Sequence, residues 1–265
     1  MTFKNYLIKK GLSVNTIEAY LHAVAIFNSK FKTVNEVNLL AYKGFLIENF
    51  KPKTVNQRIQ AINSYLTFLG KSDLKLKAVK IQQKSFLENV ISDADYTFLK
   101  NKLKNDKNME WYMVVRFLGA TGARISEVLK FKVEHIHLGY IDIYSKGGKV
   151  RRIYIPKKLC QEAVTYYSSV SRNSGYLFIN SKGNPLTPRG IAQQLKHFAI
   201  KYGINPDVVY PHSFRHRFAK NFIEKYQDIA LLADLLGHDS IETTRIYLRK
   251  TATEQKEIVD RIVTW

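Results

Sequence analysis

The sequence has 265 residues, of which 45% are apolar and 12% aromatic, a composition typical of a folded protein and unlike that of a disordered chain. Its 42 Lys and Arg residues outnumber its 22 Asp and Glu residues, giving a formal net charge of +20. This charge predicts a polyanionic partner, with nucleic acid as the first candidate. No apolar run reaches the length of a membrane span, and Cys160 is the single cysteine. We therefore expect a cytoplasmic protein with no membrane partner and no disulfide within the chain.

The length and the distribution of charge predict two domains. Residues 1–82 carry 13 basic and 4 acidic side chains, a charge of +9, and residues 83–265 carry +11. Because both parts are basic, we expect both to contact a nucleic-acid backbone, as a clamp does. The segment 71–85 contains five lysines and only weak periodicity. It predicts a basic linker that ends the first domain at residue 82.

The first 70 residues have helical patterning throughout. Ser13 can cap a helix whose apolar residues recur on one face, namely Ile17, Tyr20, Leu21, Val24 and Phe27. Capping-box patterns at Thr33 and Thr54 predict the next two helix starts, and Gly70 is expected to end the last helix. The first domain is therefore predicted to be a small helical bundle.

The second domain begins with helices and then contains one hairpin. Ser92 is a predicted helix cap, and a longer helix is predicted over residues 110–120. Residues 139–156 then alternate as an antiparallel hairpin does, with apolar residues Ile141, Ile143, Val150, Ile153 and Ile155. Apart from a short apolar stretch at residues 176–179, the remainder is predicted to be helical. The fold class is therefore mainly α with a small antiparallel sheet in the second domain, an α+β fold.

Four separated stretches hold polar residues that packing does not explain: TGARISEVL, SKGGKVRR, HSFRHRFA and LLGHDSIETTRIY. Together they resemble the tyrosine recombinase (phage integrase) family. The stretches SVNTIEAYLHAVAIF and KTVNQRIQAINSYLTFL are similar to that family's core-binding helical domain. The resemblance implies that residues 1–82 form a SAM-like core-binding domain and that residues 83–265 form the catalytic domain. It further implies a simple Xer-like or invertase-like member without an arm-binding domain.

Two arginines are predicted to bind a phosphate. Arg124 follows a predicted turn at Gly122 and precedes an apolar helix, while Arg215 lies three residues after His212 on a predicted helix. Two guanidinium groups can hold the non-bridging oxygens of one phosphodiester, and by resemblance these are the family's phosphate-binding arginines. Glu127, one helical turn after Arg124, is either a carboxylate that orients this arginine or a solvated helix residue.

The resemblance also assigns the nucleophile and its helpers. Tyr247 would be the nucleophile, His212 would assist removal of its proton, and His238 would donate a hydrogen bond to a phosphate oxygen. His216 is predicted to be structural. Lys146, at the tip of the hairpin, would protonate the leaving 5′-oxygen, and Lys149 remains the alternative.

A phenol that attacks a DNA phosphodiester conserves the bond energy in a 3′-phosphotyrosyl intermediate. The sequence contains no phosphate-binding GxxxxGK[ST] loop and no carboxylates at metal-binding spacing, so we expect neither a cofactor nor a metal. The predicted function is site-specific recombination, with strand exchange between two duplex sites. A nicking and rejoining activity like that of type IB topoisomerases is one alternative, and a non-catalytic DNA-binding factor is the other.

The end of the chain suggests an assembly. On a helix, Ile258, Val259, Ile262 and Val263 form one apolar stripe, which either folds back on its own domain or docks on a neighbouring protomer. The resemblance favours docking, with exchange of the C-terminal helix within a homotetramer on DNA. It also implies a double-stranded DNA partner that carries inverted-repeat recombination sites.

Overall fold

The computed structural model describes residues 1–81, 89–144, 150–248 and 252–263. The chain divides into two units, Met1–Gln83 and Lys84–Trp265. The described residues are mainly helical and include a two-stranded antiparallel sheet in the second unit. The predicted α+β fold class is therefore confirmed. In the described ranges, no helix is long and apolar enough to cross a membrane.

The first unit consists of helices that enclose an apolar core. These are α1 (Phe3–Lys9), α2 (Val14–Lys30), α3 (Glu36–Asn49), α4 (Pro52–Phe68) and a 3-10 turn (Ser72–Leu74). The predicted cap of α2 is confirmed, since the Ser13 hydroxyl accepts a hydrogen bond from the backbone N–H of Thr16. The apolar face of α2 is buried against α4 and contains Phe27, which is 1% exposed.

The predicted starts of α3 and α4 are wrong by two and three residues. Asn35, and not Thr33, caps α3, because its side-chain oxygen accepts from the backbone N–H of Asn38 at 2.9 Å. Helix α4 begins at Pro52, ahead of the predicted cap at Thr54. Proline at the first helical position has a suitable fixed φ and no N–H that needs a partner.

The second unit contains ten helices among the residues that the structure describes, and two strands. They are α5 (Asp93–Asn105), α6 (Met109–Thr121), α7 (Ile125–Val128), α8 (Val133–Leu138), β1 (Tyr140–Tyr144), β2 (Val150–Tyr154), α9 (Lys157–Ser169), α10 (Pro188–Lys201), α11 (Pro211–Tyr226), α12 (Ile229–Leu236), α13 (Ile241–Arg245), a 3-10 turn (Ile246–Leu248) and α14 (Ala252–Ile262). The predicted cap of α5 is confirmed, because the backbone N–H of Asp95 donates to the Ser92 hydroxyl at 2.9 Å. The helix predicted over residues 110–120 is α6, and the stretch 176–179 forms only isolated bridges.

The register of the hairpin corrects the predicted apolar set. Ile141 pairs with Ile153, and Ile143 pairs with Arg151. Because side chains alternate between the two faces of a strand, Val150 lies on the face opposite to Ile153 and is 54% exposed. The inward position nearest the tip on β2 therefore belongs to Arg151, whose side chain is 11% exposed.

The core of the second unit fixes the helix ends that carry the candidate site. Helix α6 packs against α11, which brings the end of one to the beginning of the other. A separate apolar cluster joins α11, α12 and the turn after α13 and consists of Ala219, Ile223, Leu232, Leu236 and Tyr247. These contacts hold the turn that contains Tyr247 against α11.

Candidate active site

The predicted site residues that the structure describes all lie at or near the ends of helices. Arg124 is the residue before α7, His212 and Arg215 lie in the first turns of α11, His238 follows the end of α12, and Tyr247 lies on the 3-10 turn after α13. The contacts given below bring these five side chains into one cluster.

Lys146 and its alternative Lys149 lie outside the described residues, between the two strands.

Arg215 is the most buried charged residue of the cluster, with 1% of its surface exposed. Its Nη1 donates to the carbonyl of Gly122 at 2.7 Å, and its Nη2 donates to the carbonyl of Leu236 at 2.8 Å. Arg215 thus joins the end of α6 to the end of α12. Burial, followed by repulsion from Arg124, lowers the pKa of Arg215 to about 10, so the guanidinium remains charged at neutral pH.

His238 is held between Arg215 and a threonine. Its Nε2 lies 2.9 Å from Nη2 of Arg215, and its Nδ1 lies 2.8 Å from the hydroxyl of Thr244. A guanidinium has only donors, so Nε2 accepts and the proton resides on Nδ1. Burial and the nearby arginines lower the pKa of His238 to about 4, and the ring is neutral. In this state Nε2 accepts from Arg215; donation to a phosphate oxygen, the role that the resemblance implies, requires a proton on Nε2 and stays a prediction.

Arg124 is the exposed arginine of the cluster. Its side chain is 44% exposed, its Nη1 donates to Glu127 at 3.1 Å, and its Nη2 donates to the carbonyl of Gly237 at 3.1 Å. The other oxygen of Glu127 accepts from the backbone N–H of Arg124 at 2.7 Å. Glu127 is 7% exposed, so of its two predicted roles the structure favours the carboxylate that orients Arg124.

Tyr247 is 4% exposed and lies among charged and aromatic groups. Its ring stacks on that of His238 at 6.2 Å and lies 5.4 Å from the ring of His216. Burial raises the pKa of the Tyr247 phenol, while attraction to Arg215 and then Arg124 opposes this rise. The arginines therefore favour the phenolate, which is the nucleophilic form.

The two histidines of α11 differ in exposure. His212 lies at the exposed start of the helix, and its ring is 4.4 Å from that of His216, one turn further on. Burial, followed by the charge of His212, lowers the pKa of His216 to about 4. This neutral ring links His212 to Tyr247.

A cavity of about 480 Å³ opens beside the cluster, between the hairpin and α12. Arg124, Arg151, Gly237 and His238 are among its lining residues. In the described ranges, no group of His, Cys, Asp or Glu side chains is placed to hold a metal ion.

Arg151 and Thr244 also belong to this site and were not predicted. Arg151 contacts Glu127, and Thr244, which is fully buried, contacts His238. The signal for Arg151 was present in the sequence, because it is two residues before Ile153 and therefore shares its inward face. The sequence pattern contains no comparable signal for Thr244.

Comparison with known proteins agrees with this geometry. The phage integrase family matches residues 89–254. Tyrosine recombinase XerA of Pyrococcus furiosus is 32% identical to this chain, with 98% of this chain and 92% of the relative covered. Tyrosine recombinase XerD of Listeria monocytogenes is 28% identical, with 95% and 93% covered.

Two solved structures have the same fold. XerH recombinase bound to its difH substrate has a TM-score of 0.71 at 20% identity, with 95% of this chain and 80% of that chain covered. A lambda integrase tetramer bound to a Holliday junction has a TM-score of 0.73 at 13% identity, with 94% and 77% covered. Because the family match spans more than half of the chain and the XerA match spans nearly all of it, this protein belongs to the phage integrase family and is an Xer-like tyrosine recombinase.

Proposed function

We propose that this protein recombines DNA at specific sites by cleaving and rejoining strands through a covalent bond to Tyr247. One observation carries the proposal: burial raises the pKa of the Tyr247 phenol, but the positive charges of Arg215 and Arg124 lie beside it and oppose this rise, and its ring lies against those of His216 and His238. A tyrosine kept only for packing needs no such charges around its hydroxyl.

In the proposed reaction, the phenol oxygen of Tyr247 attacks the scissile phosphorus and the 5′-oxygen leaves. One bond forms and one breaks, so the intermediate keeps the energy needed for rejoining. The phenol proton passes to His212, the exposed histidine of the cluster. The 5′-oxygen takes a proton from Lys146, or from its alternative Lys149. Attack by a 5′-hydroxyl of a partner duplex then exchanges the strand.

Arg124 and Arg215 stabilise the charge that develops on the phosphate in the transition state. Arg124 is exposed on the cavity side, whereas both Nη atoms of Arg215 already donate to backbone carbonyls. The Nε–H of Arg215 has no hydrogen-bond partner among the described residues, so it remains as a donor for an oxygen of the scissile phosphate.

Residues 1–82 would act as the core-binding domain and residues 83–265 as the catalytic domain. The high positive charge of both parts supports contact with one duplex from two sides. The XerH structure contains its difH substrate, and we propose a comparable partner here, a double-stranded DNA site with inverted repeats. A DNA substrate agrees with the cytoplasmic location that the sequence predicts.

We further propose that four copies assemble on DNA by exchange of the C-terminal helix. Val259 and Ile262 in this helix and Val263 directly after it are 45–59% exposed, as expected of a stripe that docks on a second copy. Of the predicted stripe, Ile258 lies outside the described side chains. The lambda integrase structure is a tetramer on a Holliday junction, which is the assembly we propose here.

The experiment that tests this function mixes the protein with two labelled duplexes that contain inverted repeats from the DNA flanking its gene. Recombinant duplexes are the expected product, and Tyr247→Phe should form none. Tyr226, which is 70% exposed at the end of α11, provides the matched control, and Tyr226→Phe should recombine normally. In a parallel assay with a supercoiled plasmid that carries the same repeats, relaxation without recombinants would instead indicate topoisomerase activity. Binding without any cleavage would indicate a DNA-binding factor.

A further inference from the structure

Arg151 contacts two parts of the candidate site, although the proposed reaction gives it no role. Its Nη2 lies 2.5 Å from a carboxylate oxygen of Glu127. Its Nη1 donates to the carbonyls of Leu235 and Leu236 at the end of α12. A single side chain on β2 therefore joins α7 to the end of α12.

Both partners of Arg151 lead directly to predicted catalytic residues. Glu127 uses its two oxygens to hold the backbone and the guanidinium of Arg124. The carbonyl of Leu236 also accepts from Arg215, and its chain continues through Gly237 to His238. Arg151 is thus linked to Arg124 through Glu127 and to Arg215 through the carbonyl of Leu236. The chain from Leu236 also leads to His238.

The packing around Gly237 supports a fixed position for Arg151. Gly237 has a φ of +62°, and a Cβ at this position would collide with Cδ, Nε and Nη1 of Arg151. The turn before His238 therefore has a backbone conformation that favours glycine, and a side chain there would displace Arg151. Arg151 and Gly237 both belong to the second unit.

We propose that Arg151 is a positioning residue, which holds Glu127 and the turn 235–237 so that Arg124 and His238 keep their orientation for cleavage. This inference rests on the proposed function, because it assumes that Arg124 and His238 act in the reaction. A guanidinium fits the role because it can donate to a carboxylate and to carbonyls on different sides at once. An ammonium at the same place can satisfy only part of this set.

Arg152, the next residue of the strand, provides a matched control. Its guanidinium forms a two-pronged ion pair with Asp142 of β1 at 2.8 and 2.9 Å, and its side chain is 44% exposed. Both arginines lie on β2, pair with one carboxylate and line the cavity, but only Arg151 contacts Glu127 and the end of α12. Arg152→Gln removes the same charge without touching Glu127 or the turn 235–237.

The test measures single-turnover cleavage of a nicked duplex at saturating DNA for Arg151→Gln, Arg151→Lys and Arg152→Gln. We expect Arg151→Gln to reduce the cleavage rate on the order of 10²-fold, as small displacements of reacting groups do, and Arg151→Lys to lie between it and the wild type. Arg152→Gln should cleave within about twofold of the wild type, and all variants should bind a single site with similar affinity.

A second readout separates positioning from general destabilisation. Arg151 faces His238 together with Arg215, Arg124 and His212, and its charge helps to keep the His238 ring neutral. NMR titration of His238 should therefore show a higher pKa in Arg151→Gln, but not in Arg152→Gln. The titration requires no DNA, so it remains informative even if the wild type forms no covalent complex, a result that would contradict the proposed function instead.

Three outcomes would overturn the positioning role. The first is a cleavage rate of Arg151→Gln equal to that of Arg152→Gln. The second is a loss of cleavage that is fully explained by weaker DNA binding. The third applies if Arg151→Gln does not fold: Arg151→Lys, folded and cleaving at the wild-type rate, would then exclude the need for a guanidinium.

Discussion

Arg124 and Arg215 bind the same phosphate in the proposed reaction but differ in their exposure and in their other hydrogen-bond partners. The side chain of Arg124 is 44% exposed and contacts Glu127 and one backbone carbonyl. Arg215 is buried and is the donor to the carbonyls of Gly122 and Leu236. Replacement of either should affect chemistry, but only Arg215 should also affect stability.

We predict that Arg124→Ala and Arg215→Ala each reduce the single-turnover cleavage rate by about 10²- to 10³-fold, the usual effect of losing a donor aimed at developing charge. Arg215→Ala should in addition lower the free energy of unfolding by about 1–3 kcal/mol for each carbonyl left unsatisfied. Thermal unfolding and cleavage are measured on both variants. Normal stability of Arg215→Ala would contradict the buried position of this arginine.

His216 should make the protein sensitive to acid. Its pKa is about 4 in the folded state, below the value of about 6.5 for an unfolded histidine. Between these pH values His216 binds a proton in the unfolded chain but not in the folded chain. The free energy of unfolding therefore falls as the pH falls from about 6.5 to about 4.

We therefore predict that His216→Phe loses less thermal stability than the wild type between pH 7 and pH 5. His197→Phe, on the exposed face of α10, is the control and should behave like the wild type. An unchanged pH dependence of the melting temperature in His216→Phe would show that the folded protein binds the proton readily.

The resemblance of four sequence stretches to the tyrosine recombinase family led to Arg124, His212, Arg215, His238 and Tyr247, and the structure places these residues together. The hydrogen bonds between them could not be predicted in the same way. The acceptor role of His238 depends on where Arg215 and Thr244 lie in three dimensions, and these residues are separated in sequence by more than a helix. The proton position on His238 follows from those contacts alone.

At the scale of the elements, the end of α6 determines whether the site can form. Gly122 ends this helix with a φ of +61°, and a Cβ there would lie 2.5 Å from the ring of Phe218 on α11. Gly139 ends α8 with a φ of +77° and has open space around it. Both glycines therefore have a left-handed backbone conformation, but only Gly122 lies close to a neighbouring side chain.

We predict that Gly139→Ala costs about 1–2 kcal/mol of stability, the price of a left-handed backbone with a side chain. Gly122→Ala should cost more and should also reduce cleavage, because Phe218 and the carbonyl that accepts from Arg215 must shift. Denaturant unfolding and cleavage assays on both variants check this. Equal stability losses with normal cleavage in both would mean that α6 and α11 do not approach closely at Gly122.

The helix starts show where the local capping pattern was sufficient to predict a boundary. Ser13 and Ser92 each have a hydroxyl that accepts from a backbone N–H three residues later, and both predicted starts are correct. At Thr33 and Thr54 the pattern was present, but Asn35 and Pro52 lie nearby and are stronger determinants of a helix start. A capping box identified from spacing alone therefore has competitors that only the folded chain resolves.

For the whole molecule, the C-terminal helix provides the test of assembly. Deletion of residues 252–265 should leave binding to a single DNA site intact, while it reduces cooperative pairing of sites and strand exchange. A paired substitution separates the stripe from the rest of the helix: Val259→Ser with Ile262→Ser should have the same effect, and Lys256→Ser with Asp260→Ser should have none. Normal recombination by the truncated protein would contradict helix exchange.

The most direct test of the account is the chemical identity of the bond between protein and DNA. A nicked duplex is cleaved under single-turnover conditions, the covalent complex is digested with protease, and the nucleotide-linked peptide is sequenced by mass spectrometry. We predict a peptide that carries the DNA on the phenol oxygen of Tyr247, joined to the 3′-phosphate, with a free 5′-hydroxyl on the released strand. A linkage to any other residue, or to a 5′-phosphate, would contradict it.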